Sequence, residues 1–309
     1  MIQVKNKILL GVVIILSIVT MIVIEVKEKL DHSFFEPEKE PTINIKTPND
    51  TIENIDLEEY LIGVLAAEMP ASFHEEALKA QAVASRSYAL YKMNHNTGNS
   101  YDILTDVTNQ SYITKEEMKE KWGKDYEFYL NKITNAVKDT QKEVMYYDNQ
   151  VIEAFYFAMS NGTTEDAQSV FSENLPYIKS VESSWDNETL KNFIVKQSFT
   201  KQKFCELLNL ISCNTINIDN INRSNTGRVN KITINNQEFL GTEIRSKLNL
   251  RSTDFNMEIE QENINITTKG YGHGVGMSQY GANGMAKEGY TYKEILNYYY
   301  KDITINKMV

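Results

Sequence analysis

An uncharged apolar run near the N-terminus constrains this chain most, because it separates a short head from a large remainder. Residues 8–24 read ILLGVVIILSIVTMIVI and contain no charged side chain. At ~1.5 Å per residue, a helix of this length spans ~26 Å, slightly less than the ~30 Å hydrocarbon core of a bilayer. We predict a cytoplasmic head at residues 1–7 and an uncleaved, single-pass membrane anchor at residues 8–24.

A cleaved secretion signal is the alternative interpretation of the same run. Cleavage sites need small residues, whereas Ile22, Val23, Ile24 and Glu25 stand where the run ends. Lysines flank the run on both sides, so the distribution of charge does not define how the anchor is oriented across the membrane. The predicted orientation rests more on the shortness of the N-terminal head. We expect the bulk of the chain outside the cytoplasm, after a proline-containing stalk at residues 25–50.

Composition predicts that the remainder, residues 51–309, is a folded domain without broad affinity for nucleic acid. Hydrophobic residues make up 41% of the chain, which is enough for a core. The net charge of −10 argues against broad binding of nucleic acids, because neutralising their phosphates needs clustered lysines and arginines. Cys205 and Cys213 are too few for a disulfide-dense scaffold. They leave open a local disulfide, two unpaired thiols or, least favoured, a zinc site.

Hydrophobic periodicity predicts helices first and strands later, in mixed order. We expect an α+β fold with a cleft between a helical part and a curved sheet, and an insertion lobe at residues 190–265. The predicted helices cover residues 56–67, 73–93, 115–129 (or as far as 135), 201–208 and 292–299. The predicted strands cover residues 144–147, 151–157, 229–239 (as a hairpin around Asn235-Asn236) and 264–268.

Glu68 is the first candidate for chemistry. It stands where an apolar helix ends before Met69-Pro70. The helix dipole and apolar neighbours both disfavour its ionised form, so its pKa should lie above ~4.3. A raised pKa suits a general acid. The alternative is an ordinary exposed glutamate at a helix end.

Two further segments present polar groups on compact scaffolds. Lys79 and Arg86 share one face of the alanine-rich second helix, and Arg86 is suited either to a substrate group or to a structural ion pair. Residues 270–284 alternate glycine with polar residues, which lets backbone approach a ligand closely. Their spacing does not match a dinucleotide-binding loop. A serine hydrolase using Ser278 and His273 is disfavoured, because Ser278 lies in no nucleophile elbow.

Several long blocks together resemble the stage II sporulation protein D family. They cover about residues 55–302 in the right order: residues 57–70, 76–90, 108–112, 154–160, 176–177, 250–255, 270–284, 293–296 and 298–300. The resemblance implies a peptidoglycan lytic transglycosylase on the mother-cell membrane, facing the septal space during engulfment. It also implies two partners, an amidase/endopeptidase that first removes stem peptides and a multi-pass membrane protein.

The resemblance assigns catalysis to Glu68, by proton transfer at the bond between N-acetylmuramic acid and N-acetylglucosamine. It places the following residues in the cleft as glycan contacts: Lys79, Gln81, Arg86, Gln110, Tyr112, Ser160, His273, Ser278 and Gln279. One loop departs from the family pattern, since Asn161 replaces a glycine. No cysteine or histidine stands in that loop, so the sequence does not support a structural zinc, and no cofactor is expected.

Two other functions stay open at this point. Similar domains include non-catalytic amidase enhancers, which bind glycan without cutting it. A metal-dependent peptidase is disfavoured because the chain contains only four histidines that could serve as metal ligands. A hydrolase would need a second carboxylate. No matched block offers an obvious one, although Asp102, Glu165 and Asp254 are candidates.

Overall fold

The computed structural model describes residues 18–25, 41–106, 108–171 and 174–308. Residues 18–25 are helical (α1) and belong to a separate N-terminal unit. Most of the predicted anchor and stalk lies outside the described residues. Within the described ranges, no helix combines the length and apolar character needed to cross a bilayer. The second unit, Thr42–Val309, mixes helices with small sheets and confirms the α+β prediction.

Helix α2 (Leu57–Glu68) begins and ends as its sequence predicts. The Asp56 side chain accepts a hydrogen bond from the Glu59 backbone N–H and so caps the first turn. The helix ends at Met69, which is extended before Pro70. Gly63 lets the 110–113 segment pack directly on this helix, because a Cβ there would lie 2.2 Å from the Tyr112 ring. This packing brings the segment beside the end of α2.

Helix α3 (Glu75–His95) is the central element. His74 caps its N-terminus, because the His74 Nδ1 accepts a hydrogen bond from the Glu76 N–H. Its alanines are buried on several faces, so α2, α5 (Tyr126–Asp139), α9 (Gln279–Lys287) and α10 (Tyr292–Tyr299) can all pack against it. Two hydrophobic clusters meet along this helix. One contains Val83 and Tyr299, and the other contains Leu61 and Tyr88.

The predicted third helix is two helices. Lys115–Trp122 (α4) and Tyr126–Asp139 (α5) are separated by a 3₁₀ turn at Gly123–Asp125. Thr114 and Glu117 cap α4 reciprocally. Gly123 has a φ of +52°, a value that α-helical backbone cannot hold, so the helix is interrupted there. The amphipathic pattern continues across this turn, which is why periodicity alone predicted one helix.

The strands in the described part of the chain form five small sheets. β1 (Thr42–Lys46) lies between β2 (Ile52–Asp56) and β3 (Ile103–Leu104), and β4 (Glu143–Tyr147) lies between β5 (Gln150–Val151) and β14 (Thr304–Lys307). The predicted strand at residues 151–157 leaves its sheet after Val151. It then contributes β6 (Tyr156–Phe157), which pairs in parallel with β13 (Met277–Ser278). This pairing connects two segments about 120 residues apart, a contact that local pattern does not reveal.

The region from residue 194 to residue 269 has a hydrophobic cluster of its own, whose buried members lie between residues 204 and 266. The elements of this region are β7 (Ile194–Thr200), α7 (Lys201–Leu208), β8 (Ile218–Arg223), β9 (Val229–Ile234), β10 (Gln237–Leu240), α8 (Gly241–Lys247), β11 (Phe255–Glu260) and β12 (Asn263–Lys269). A disulfide joins Cys205 to Cys213, with their Cα atoms 5.9 Å apart. The boundaries of the insertion lobe at 190–265 stay a prediction.

The glycine-containing segment holds a helix that periodicity did not predict. This helix is α9 (Gln279–Lys287); α6 (Ala167–Phe171) precedes it in the chain, and α10 (Tyr292–Tyr299) and β14 follow it. Ser278 caps α9 by accepting from the Gly281 N–H. Glycines at helical positions lower intrinsic helix propensity, and the buried packing of Ala282 and Met285 overrides it here. This helix presents Gln279 at its first turn.

Candidate active site

A cleft of about 580 Å³ opens in the second unit where four segments meet. The end of α2 contributes Glu68, and the segments 108–111, 154–158 and 271–273 form the walls of the cleft. Gln279 at the start of α9 and Arg245 of α8 complete it. Elements from both the helical part and the 204–266 cluster therefore line one cavity.

Glu68 is the single carboxylate among the described residues that line this cleft. Burial raises its pKa above the ordinary value for glutamate. The Ser111 backbone N–H donates to Oε1 at 2.7 Å, and the side chains of Ser111 and Gln279 also stabilise the ionised form. The carboxyl group is therefore held in place, yet it keeps a proton more readily than an exposed glutamate.

Two tyrosines lie near Glu68: Tyr60 is buried, and Tyr156 is half-buried and lines the cleft. The Tyr60 hydroxyl donates to Gln110 Oε1 at 3.1 Å, and Gln110 Nε2 donates to the Tyr156 hydroxyl at 3.0 Å. Burial and the nearby Glu68 charge both raise the pKa values of Tyr60 and Tyr156. These phenols therefore stay neutral and keep the surroundings of Glu68 poor in counter-charge.

Lys121 of α4 contributes positive charge near Glu68. Its Nζ donates to the Ala66 carbonyl at 2.7 Å, in the last turn of α2. A cation at this helix end satisfies a free carbonyl and lowers the pKa of Glu68. The pKa of Glu68 is thus raised by burial and partly lowered again by Lys121.

The variant Lys121→Met is expected to move the pH dependence of any reaction that needs protonated Glu68. Removing the cation raises the pKa of Glu68 further, so the alkaline limb of the kcat/KM profile should move to higher pH. Lys119→Met, on the exposed side of the same helix, is the matched control and should leave the limb in place. An unchanged limb in Lys121→Met would contradict this role.

His273 lies half-buried in the cleft wall with both ring nitrogens engaged. Nδ1 accepts from the Val275 N–H at 3.1 Å, so Nε2 carries the proton and faces the Tyr156 carbonyl at 3.1 Å. Burial, together with the charges of Arg245 and Arg228, lowers the pKa of His273 to about 4. A neutral imidazole held at both nitrogens shapes the wall and is poorly placed to act as a base.

The close approach of the glycine segment to residues 155–157 sets this wall. Gly276 has a φ of +80°, and a Cβ there would lie 1.9 Å from the Phe155 carbonyl oxygen. A side chain would therefore push the two segments apart and open β6 from β13. This explains why glycine is needed in a segment that otherwise presents polar groups.

The predicted glycan contacts separate into three groups. His273 and Gln279 line the cleft. Gln81 and Gln110 lie behind it: Gln279 Nε2 donates to Gln81 Oε1 at 3.3 Å, and Gln110 bonds Tyr156. The others lie outside the cleft lining: Lys79, Arg86, Tyr112, Ser160 and Ser278.

Each residue outside the lining has a structural partner instead. Lys79 forms ion pairs with Glu76 and Asp139, at 3.2 and 3.1 Å. The fully buried Arg86 binds Glu58 through two nitrogens, at 2.8 and 2.6 Å. Tyr112 stacks on Tyr60. These contacts differ from the expected glycan contacts, because Lys79 and Arg86 are paired with carboxylates and the Tyr112 ring packs on Tyr60.

Ser160 and Ser278 are buried beside Asp186. Burial raises the pKa of Asp186, and both serine hydroxyls stabilise its ionised form. Ser278 also caps α9. Within the described residues Ser278 has no hydrogen bond to His273, so the two do not form a hydrolase dyad.

The other candidate carboxylates are also engaged away from the cleft. Asp102 accepts from the Asn44 backbone and side chain, at 2.7 and 3.1 Å. Glu165 bonds Ser224 and Arg228, and Asp254 bonds Asn161. The described part of the chain contains no cluster of three or more residues of the usual metal-ligand types.

Sequence reasoning missed several residues of the cleft. Ser111, Tyr156 and Tyr271 lie inside the blocks that carry the family resemblance. These blocks could have indicated that the three residues lie near the site, but they did not indicate what each residue does. Lys121 and Arg245 carry no local signal. Their proximity to Glu68 and to the cleft arises only from packing of α4 and α8.

Comparisons with known proteins identify relatives of this chain. A family model described as "Stage II sporulation protein" matches residues 46–147. Stage II sporulation protein D of Bacillus subtilis is 43% identical over 85% of this chain and 78% of its own length. The protein of that name from Bacillus amyloliquefaciens is 41% identical, over 85% and 77%. An amidase enhancer of Bacillus subtilis is 28% identical, over 79% of this chain and 40% of its own length.

Proposed function

Because this chain belongs to the stage II sporulation protein D family, we propose that it cleaves peptidoglycan glycan strands as a lytic transglycosylase. The observation that carries the proposal is Glu68, a single carboxylate with a raised pKa at the wall of a large cleft. The cleft volume of about 580 Å³ is sufficient for sugar rings of a strand.

One carboxyl group can perform both proton transfers of this reaction. Protonated Glu68 donates to the oxygen that links N-acetylmuramic acid to N-acetylglucosamine, and the bond from that oxygen to the muramic C1 breaks. The muramic C6 hydroxyl attacks C1, and its proton passes to the ionised Glu68. The products are a 1,6-anhydro-muramic end and a free N-acetylglucosamine hydroxyl. Glu68 ends protonated, and no water is consumed.

The lining of the cleft favours this reaction over hydrolysis. Glycoside hydrolases commonly use two carboxylates, at ~5–5.5 or ~6.5–9.5 Å. Among the described lining residues only Glu68 is acidic, and Asp102, Glu165 and Asp254 are bound elsewhere. An attacking oxygen supplied by the substrate removes the need for a second carboxylate.

Product masses test the proposal directly. The purified chain is incubated with peptide-free glycan strands, and the fragments are analysed by mass spectrometry. We expect fragments that end in 1,6-anhydro-muramic acid. Reducing ends that are heavier by one water would indicate hydrolysis and would contradict the transglycosylase assignment.

A non-catalytic amidase enhancer is the second candidate, supported by the similarity to a protein of that name. This function predicts that the chain binds glycan strands but releases no fragments from them, and that it raises the rate of a partner amidase. The same incubation therefore separates the two candidates, when binding is measured beside fragment release.

We further propose that the chain works outside the cytoplasm, anchored in the mother-cell membrane through residues 8–24. The apolar run and the Cys205–Cys213 disulfide support this location, because disulfides persist mainly outside the cytosol. The proposed partners are an amidase/endopeptidase that strips the strands and a multi-pass membrane protein of the engulfment complex. Digestion of intact protoplasts with an added protease would test the orientation. We expect the domain to be cut, and protection of the domain would contradict the proposed location.

A further inference from the structure

Two of the five arginines differ from the rest in their partners. Arg86, Arg223 and Arg228 each pair with a carboxylate, at 2.6, 3.8 and 3.5 Å. Across the described ranges, Arg245 and Arg251 form no such pair. Both lie next to Tyr271, one of the residues that line the cleft.

Arg245 reaches the cleft from α8. It lines the same cavity as Glu68, and it is half-buried. Burial lowers its pKa from the ordinary arginine value, but a guanidinium remains charged at neutral pH. A charge that loses water without gaining a counter-ion is unfavourable, so an anion that enters the cleft would be bound strongly here.

Arg251 also lies next to Tyr271. Its guanidinium carbon is 3.9 Å from the centre of the Tyr271 ring, a cation–π contact. Its Nε is buried, and no hydrogen-bond partner for it lies within the described part of the chain. The two arginines therefore place two positive charges close to Tyr271, which lines the cleft.

We propose that Arg245, assisted by Arg251, binds the lactyl carboxylate of peptide-free muramic acid and makes the cleft selective for stripped strands. This inference rests on the proposed function. In an intact strand the lactyl group is joined to the stem peptide through a neutral amide. Hydrolysis of that amide leaves an ionised carboxylate on every muramic acid. A guanidinium can hold such a group through two parallel hydrogen bonds, which an amide cannot accept.

Two strand preparations that differ only at this group provide the test. One is peptide-free strands, and the other is the same strands with the lactyl carboxylates converted to methylamides. We expect the wild-type chain to release fragments at least ~10-fold faster from the carboxylate strands. Arg245→Gln should slow cleavage of the carboxylate strands far more than that of the methylamide strands, so that the preference disappears. Arg245→Lys should restore part of it, and Arg251→Gln should reduce it by a smaller factor.

Lys247→Gln is the matched control, because it removes one positive charge from the same helix outside the cleft lining. It should keep the wild-type preference. Equal wild-type rates on both preparations would overturn the inference. So would an Arg245→Gln variant that slows both equally, since that result indicates a structural role.

Binding of labelled strands by the Glu68→Gln variant separates this inference from the proposed function. A binding preference for carboxylate strands that Arg245→Gln removes would support the anion site even if no fragments formed, and the proposed cleavage alone would fail. Fragment release without any preference in rate or binding would overturn the anion site alone. Absence of both binding and fragments would overturn both.

Discussion

Replacing Glu68 with glutamine is expected to lower fragment release from peptide-free strands by ~10³-fold or more. General acid or base catalysis by one group contributes ~10²–10⁴-fold, and this reaction uses Glu68 in both proton transfers. Glutamine keeps the shape of the side chain and can still accept from the Ser111 N–H. Initial rates measured by mass spectrometry over several hours would quantify the loss.

Stability measurements show whether this variant remains folded. Burial raises the pKa of Glu68, so the folded chain binds its proton more tightly than the unfolded chain does. Stability is therefore lost as the pH rises from the unfolded pKa through the raised folded pKa. Glutamine does not ionise, so at pH 7 Glu68→Gln should unfold at a temperature equal to or above that of the wild type. A folded Glu68→Gln with wild-type turnover would contradict the assignment.

Removing the Arg86 guanidinium is expected to destabilise the fold by ~3–5 kcal/mol. Arg86 is fully buried and binds Glu58 through two nitrogens, and it also donates to the Glu143 and Val137 carbonyls. The variant Arg86→Met would leave the half-buried Glu58 carboxylate without its arginine partner. Chemical denaturation monitored by circular dichroism would measure the free energy of unfolding.

Two further variants identify the source of this loss. Lys115→Met breaks the exposed ion pair with Glu59 and should change stability by less than ~1 kcal/mol. The double variant Glu58→Met/Arg86→Met should be more stable than Arg86→Met alone, because it leaves no unpaired charge. If Arg86→Met kept wild-type stability and lost only glycan affinity, the structural assignment would fail and a substrate contact would be favoured.

Local sequence pattern predicted the elements that carry Glu68. The apolar periodicity of residues 57–65 and the stop at Pro70 are properties of neighbouring residues, and α2 follows them closely. The turn at Asn235-Asn236 is similarly local, since both residues adopt the left-handed conformation that a tight hairpin needs. By contrast, the departure of residues 152–157 from their sheet and the formation of α9 depend on packing with distant segments.

The same division applies to the candidate site. The sequence by itself determined the family blocks, the position of Glu68 at a helix end and the glycine segment that carries His273 and Gln279. Only the tertiary structure decided which polar groups face the cleft. Arg86 and Arg245 are equally charged in the sequence, but one is buried against Glu58 and the other lines the cavity. The physical reason is that burial and ion pairing depend on contacts between segments far apart in the chain, which residue type and spacing do not specify.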